Sequence, residues 1–324
     1  MFKRKIIKEN KLKSYLLKIL KIHGLNKETL NLVNPNYSKQ SENYFKLNDK
    51  TIILSNGVLD LKRKINELNI LYRFAPNNSL WNSSKRWKRI IPNIDKKTLI
   101  RVCLFSLKKS LVNFINKNDI KIKLNLITES ENYDEKFNIQ LIEMINCDKI
   151  EVKLNFSKKK GNHGTYLECC DLAEDAKDLI FFVEDDYLFE ENAINELIYA
   201  YTRIATLIEN DVFLCPCDYP FFYDSLYNTN ILFGKNLRWR KVNETLLTFL
   251  FSINLLKKFR KNIRLVGEEY NDPFEKPLHE VYQKNYCFAP IGSLSYHISR
   301  TVPAINENWF ELWQNTFREV NGGP

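Results

Sequence analysis

An α/β fold built on a mixed, mostly parallel sheet is predicted by three observations on this 324-residue chain. Leu179 to Val183 is an uninterrupted apolar run that ends in Glu184, Asp185 and Asp186. Such a run reads as a strand buried on both faces, as in parallel sheets. Apolar residues at helical spacing follow it (Ile194, Leu197, Ile198, Tyr201, Ala205, Ile208), and strand and helix patterns alternate through the residues before it.

Asn69 to Phe74 reads as a first strand. Ala75 to Ile91 is a loop carrying Lys85, Arg86, Lys88 and Arg89, and Pro92 opens a helix with Leu99, Val102, Cys103, Leu107, Leu111 and Phe114 in register. Residues 121–127 alternate polar and apolar, as a second strand does. A helix at 134–146, a third strand at 149–156 and a helix at 166–176 precede the central strand. The turn Lys158 to Thr165 between the last two combines glycines with cations. It is either a phosphate-binding helix N-terminus or a plain strand-to-helix turn. After it a short strand is expected at 212–214, a strand pair at 230–233 and 238–242 around Gly234, a helix over 245–260, and a strand at 286–291.

Composition bounds the function. Apolar residues make up 44% of the chain, enough for a substantial core, and 9 Gly with 10 Pro argue against fibrous or low-complexity structure. The net charge of +10 suits phosphate-rich partners. No ordered Arg and aromatic motif of nucleic-acid binders is present, so nucleic acid is not an expected partner. The 7 cysteines are odd in number and lack zinc-finger spacing, which reads as a reducing, cytoplasmic setting. Residues 1–45 form a basic, partly helical extension expected either to pack on the domain or to touch the inner face of a membrane peripherally. Residues 46–68 are the junction, 69–310 the main domain and 311–324 a tail.

Three adjacent acids at the end of a buried strand repel one another. Either a divalent cation such as Mn²⁺ or Mg²⁺ stabilises them, or Asp185 or Asp186 caps the following helix. Ligands of open α/β sheets bind at the carboxyl ends of strands.

Taken in order, five stretches carry a resemblance over about residues 69–310: "ILYRF", "LIRVCLFSLKKSLVNF", "GNHGTYLECCDLAEDAKDLIFFVEDDYLF", "LRWRKVNETLLTFLFSINLL" and "APIGSLSYHI". The set resembles GT-A fold glycosyltransferases that use nucleotide-sugar donors. Their fold is a Rossmann-like mixed sheet flanked by helices, here with an N-terminal helical extension. The family's D-x-D motif is matched by Glu184-Asp185-Asp186, with Glu in the first position. By resemblance Asp186 and Glu184 ligate Mn²⁺ or Mg²⁺, with Glu184 or Asp185 touching ribose or a metal-bound water. His297 completes the metal shell. Tyr72 and Arg73 serve base stacking and phosphate, Glu129 the base or ribose, and Asn162 and His163 the donor. Glu275 is the preferred acceptor base, with Asp272 and Glu280 as rivals, and Trp239 lines the acceptor pocket.

The resemblance thus implies a metal-dependent, inverting glycosyltransferase. It would move sugar from a nucleotide-diphosphate donor to a glycan or lipid-linked acceptor in polysaccharide, lipopolysaccharide or glycan assembly. A sugar-1-phosphate nucleotidyltransferase ranks second, because the Gly-rich signature of that class is not visible in the chain. A non-catalytic nucleotide-sugar-binding module is the third alternative.

Overall fold

The structure, a computed structural model, describes residues 51–54, 57–78, 90–226, 228–298, 303–305 and 308–322. The basic extension at 1–45 and the cations at 85–89 lie outside them.

A hairpin of Thr51–Leu54 (β1) and Gly57–Asp60 (β2) lies within the expected junction. Four strands then pair in parallel: Glu67–Arg73 (β3), Lys121–Glu129 (β4), Ile150–Ser157 (β5) and Leu179–Glu184 (β6). The helices Lys96–Ile115 (α1), Glu135–Ile145 (α2) and Gly161–Ala173 (α3) connect them. Asp95 and Asp134 start α1 and α2 by accepting the amides of Thr98 and Phe137, the capping role of Asp. α3 begins earlier than the apolar spacing predicted, at Gly161, whose φ of 75° is open to glycine at little cost.

After β6 come Tyr187–Phe189 (β7), Ala193–Ile208 (α4), Phe213–Leu214 (β8), Ile231–Phe233 (β9) and Arg238–Val242 (β10). The helix expected over 245–260 is corrected by the structure. Its first part is a strand, Phe249–Ser252 (β11), and only Ile253–Glu268 (α5) is helical. The reason is aromatic packing. β11 runs antiparallel against β6, where Phe249 and Phe251 meet Phe182 and Phe213 at 5.2–6.2 Å. Ser252 then ends the strand and caps α5 by accepting from Leu255. Lys276–Lys284 (α6), Cys287–Ile291 (β12), Ser295–His297 (β13) and Asn308–Val320 (α7) complete the chain. α7 crosses the 310/311 boundary expected from the sequence. Its Trp309 and Trp313 join Leu99, Val102 and Cys103 of α1 in a second apolar cluster.

The result is a mixed nine-stranded sheet in the order β5-β4-β3-β6-β11-β8-β12-β10-β9, flanked by helices, as the predicted fold class requires. Its register decides which residues share an edge. Phe181, Leu250, Leu214, Phe288 and Lys241 form one row across five strands. Three residues further toward the end of β6, Arg73, Glu184, Ile291, Arg238 and Phe233 share the row at the carboxyl edge. Directly paired residues point to the same face, so Glu184, Arg238 and Arg240 share one face while Trp239 takes the other.

Trp239 is fully buried, with its indole N–H donated to Glu196 of α4 at 3.3 Å. Glu196 also accepts the amides of Lys235, Asn236 and Leu237. Gly234 is required by this close approach, since a Cβ there would lie 2.2 Å from the Glu196 carboxylate. Glu196→Ala would strand these donors and is expected to cost about 3 kcal/mol in denaturant unfolding. Glu196→Gln, which keeps one acceptor oxygen, should cost less.

Candidate functional site

Glu184, Asp185 and Asp186 leave the sheet at the carboxyl end of β6, and each is handled differently. Arg73, paired with Glu184 across β3–β6, donates to it at 2.6 Å. The same guanidinium donates to the Asn162 side chain at 2.6 Å, joining β3, β6 and the start of α3. Asp185 turns inward to a buried ion pair with Lys96 of α1 at 2.6 Å and accepts the Ala75 amide. Asp186 faces His297 of β13, Nε2 to Oδ2 at 3.3 Å. Its Oδ1 is buried and has no hydrogen-bond partner among the described residues.

The pairing of β7 with β13 creates this last contact. His297 lies opposite Tyr187, Ile298 donates its amide to the Asp186 carbonyl, and the Tyr187 and His297 rings stack at 4.8 Å. Burial holds Glu184 and Asp185 above the ordinary carboxylate range despite their cationic partners. Burial works against Asp186 too, but the charge and hydrogen bond of His297 bring it below that range. Asp186 is therefore the acid of the three that holds its negative charge most firmly. In return His297 is raised to about 9, because Asp186 outweighs the cost of burying its charge.

A turn at 244–248 supports the acids from beneath. Thr248 accepts the Glu184 amide on its hydroxyl, and the Leu246 carbonyl accepts the Tyr187 hydroxyl. Leu246 and Leu247 both have positive φ, 47° and 60°, a costly conformation for such side chains. Glu275 holds the turn in place. Buried at 2% exposure, it accepts the amides of Thr245 (2.6 Å) and Leu247 (3.1 Å) and the Thr245 hydroxyl. Glu244 and His279 come close to Glu275, and the three could each offer a ligand atom within 4.8 Å of the others. Two amides and a hydroxyl already fill Glu275, so the trio is a structural knot.

Of the other expected site residues, Tyr72 is wholly buried and its phenol is pushed well above its usual range by that burial. It packs inside the sheet and presents no face for a nucleotide base, because it alternates with Arg73 along β3. Trp239 likewise points into the core, fully buried. Glu129 accepts the Gly161 amide at 2.9 Å, which occupies an N-terminal donor of α3 that a phosphate would need. His163 sits against Phe274 at 4.8 Å and meets the Gly267 carbonyl at 3.3 Å. The loop before α6 thus lies over the start of α3. Asp272 in that loop and Glu280 on α6 are both exposed. Lys96, Tyr187, Thr248 and Leu246 were not foreseen. Their roles are set by contacts between residues 59 to 89 apart in sequence, for which a linear reading has no signal.

No family model matches the chain, and no curated protein matches it in sequence. Solved structures similar to 79% of it include a UDP-glucose pyrophosphorylase complexed with UDP-glucose, matched over 100% of its length at 10% identity and TM-score 0.43. A UTP-bound UGPase from Acinetobacter baumannii is matched over 93% at 8% identity and TM-score 0.43. An inositol-1-phosphate CTP transferase from T. maritima is matched over 97% at 12% identity and TM-score 0.38. These names fall with the second enzyme class expected from the sequence rather than the first. Likenesses at these scores carry no functional argument. Among the described residues no helix is long and apolar enough to cross a membrane.

Two outcomes follow. In metal-free buffer the His297–Asp186 pair contributes stability that is fully present below about 6.5, the ordinary histidine value, and is lost as pH rises through about 9. His297→Gln should therefore cost about 1.5–3 kcal/mol at pH 6 and much less at pH 10, read by thermal unfolding with EDTA. Glu275→Gln turns an amide N–H₂ on donors already waiting for an acceptor. It should lower stability by about 1–3 kcal/mol, read by denaturant unfolding.

Proposed function

We infer that this chain is a metal-dependent transferase acting on a nucleotide-diphosphate sugar, and that it moves the sugar to a hydroxyl acceptor. The observation that carries this is the state of the three acids. Arg73 and Lys96 engage Glu184 and Asp185, while Asp186 keeps a buried, unpartnered Oδ1 beside His297. A carboxylate oxygen and an imidazole nitrogen at a strand's carboxyl end fit a Mn²⁺ or Mg²⁺ whose other positions are filled by water and substrate phosphate. When bound, the ion supplies charge stabilisation to the departing diphosphate.

The protein's own groups do the rest in this reading. Arg73 and Asn162 lie beside the donor diphosphate, with Glu129 and His163 at the start of α3. Glu184 orients Arg73, and Asp185 anchors the strand end through Lys96. Glu275 holds the turn below and is not available as a base. Asp272, exposed in the loop over His163, takes the proton of the acceptor hydroxyl. The acceptor oxygen bonds the anomeric carbon while the bond from that carbon to the diphosphate breaks, and the electron pair leaves with the nucleotide. A single displacement of this kind inverts the anomeric centre. Glu280 is further along α6 and is its rival. Polysaccharide, lipopolysaccharide or glycan assembly is the setting that suits such a reaction.

The second reading is nucleotidyl transfer between a nucleoside triphosphate and a sugar 1-phosphate, the activity class printed in the names of the similar structures. A loop that wraps a triphosphate with backbone amides favours glycine. No glycine stands between Gly57 and Gly161, so the loop after β3 contains none. This ranks sugar transfer first.

Purified protein should be melted with UDP-, GDP-, CMP- and dTDP-sugars in Mn²⁺, Mg²⁺ or EDTA, beside UTP with glucose 1-phosphate. A metal-dependent shift by one nucleotide-sugar class, abolished in Asp186→Asn, is the expected result. Pyrophosphate release from the triphosphate pair would instead establish the second reading. Asp272→Asn should reduce turnover by about 10²–10⁴-fold and leave the donor shift in place.

A further inference from the structure

Resting on the sugar-transfer reading, the structure also indicates which acceptor the site takes. Trp239 was expected at the acceptor pocket, yet it faces α4. Its neighbours Arg238 and Arg240 project from the opposite face of β10, the face that Glu184 also occupies. There they meet Phe233 and Ile231, their partners on β9. Phe233 and Ile231 are 58% and 53% exposed, and β9 is the outer strand of the sheet.

The two arginines are in different electrical states. Arg240 is bound to Asp218 at 2.5 Å, and its guanidinium lies 4.1 Å from the ring centre of Tyr223. The Tyr223 hydroxyl donates to the same carboxylate at 2.6 Å, as does the Gly292 amide at 2.9 Å. This is a rigid, neutralised plate with an aromatic ring 46% exposed. Arg238 is exposed, stacked on Phe233 at 5.7 Å, and has no acidic partner among the described residues. A flat apolar surface next to an uncompensated guanidinium is chemistry for a sugar ring bearing a carboxylate or phosphate.

Position fixes the length of the ligand. Arg238 shares the row of Glu184 at the carboxyl edge four strands away from it, and Phe233 lies one strand further out. At the usual strand spacing that is about 19 Å for Arg238 and about 24 Å for Phe233. Asp218 and Gly292 lie between, and residues 292–297 lead from the plate back to His297. A single sugar held on Phe233 would not reach the donor, whereas an extended chain would.

We propose that the β9–β10 face is the distal acceptor subsite, and that it binds an anionic oligosaccharide, with Phe233 and Tyr223 stacking the rings and Arg238 pairing the acid. The experiment measures binding of three labelled probes to the full chain: a uronate-containing oligosaccharide, a phosphate-bearing one and a neutral one of equal length. Arg238→Ala and Phe233→Ala alter exposed side chains, and their unfolding is checked alongside. At least tenfold preference of the wild type for one or both acidic probes is expected. Arg238→Ala should remove that preference and leave the neutral probe unchanged, while Phe233→Ala should weaken all three. The acidic probe that binds better identifies the acid group. Equal binding of acidic and neutral probes, a preference that survives Arg238→Ala, or binding only to phosphatidylglycerol vesicles would overturn the proposal. The wild-type donor shift, measured in parallel, reports separately on the transferase reading.

Discussion

Three carboxylates in succession at the end of a buried strand form the constraint around which this molecule is arranged. Left alone they would repel one another and pay the cost of desolvation. The fold answers with cationic groups from three separate elements, Arg73 on β3, Lys96 at the start of α1 and His297 on β13. Each partner also ties its own element to the strand end. Arg73 reaches on to α3 through Asn162, Lys96 fixes the first turn of α1, and His297 brings back the chain after β12. Electrostatic balance at one point therefore sets the arrangement of the carboxyl edge as a whole.

The balance is uneven, and the unevenness is what gives the edge chemical meaning. Arg and Lys form short, direct pairs with Glu184 and Asp185. Asp186 has a largely buried imidazole at a longer distance and one oxygen without a partner among the described residues. Below it, a turn with two left-handed leucines is kept in a costly conformation by Glu275. That turn feeds β11 into the sheet antiparallel to β6, which covers the far edge of the central strand and aligns Tyr187 under His297. Backbone strain, a buried carboxylate and an aromatic stack thus act in series on one imidazole.

Beyond β11 the sheet changes character. The parallel half is covered by helices, and its central strand β6 reads as an apolar run. The antiparallel half ends in β10 and β9, where one face packs Trp239 on Glu196 and the other bears Arg238, Arg240 and exposed aromatic side chains. Such one-sided burial is common in antiparallel sheets. It leaves a surface for recognition on the same edge that carries the acids.

Much of this was legible in the linear chain. The apolar run of β6 ending in acids, the helix after it and the strand and helix alternation from residue 69 to 208 were predicted because local periodicity reports burial directly. The match of Asp186 with His297 came from a resemblance, and the structure does bring the two together. What the sequence by itself determined was the parallel half and the place of the acids. The tertiary structure alone decided three other things. It made Phe249–Ser252 a strand, because its aromatic residues found partners on β6 that helical spacing could not reveal. It turned Glu275 and Tyr72 inward, since a carboxylate's hydrogen-bond partners and a side chain's face depend on residues far away in the chain. It also set Trp239 on the core face and the arginines beside it on the open one, because a strand alternates its side chains while only packing against α4 chooses which set is buried.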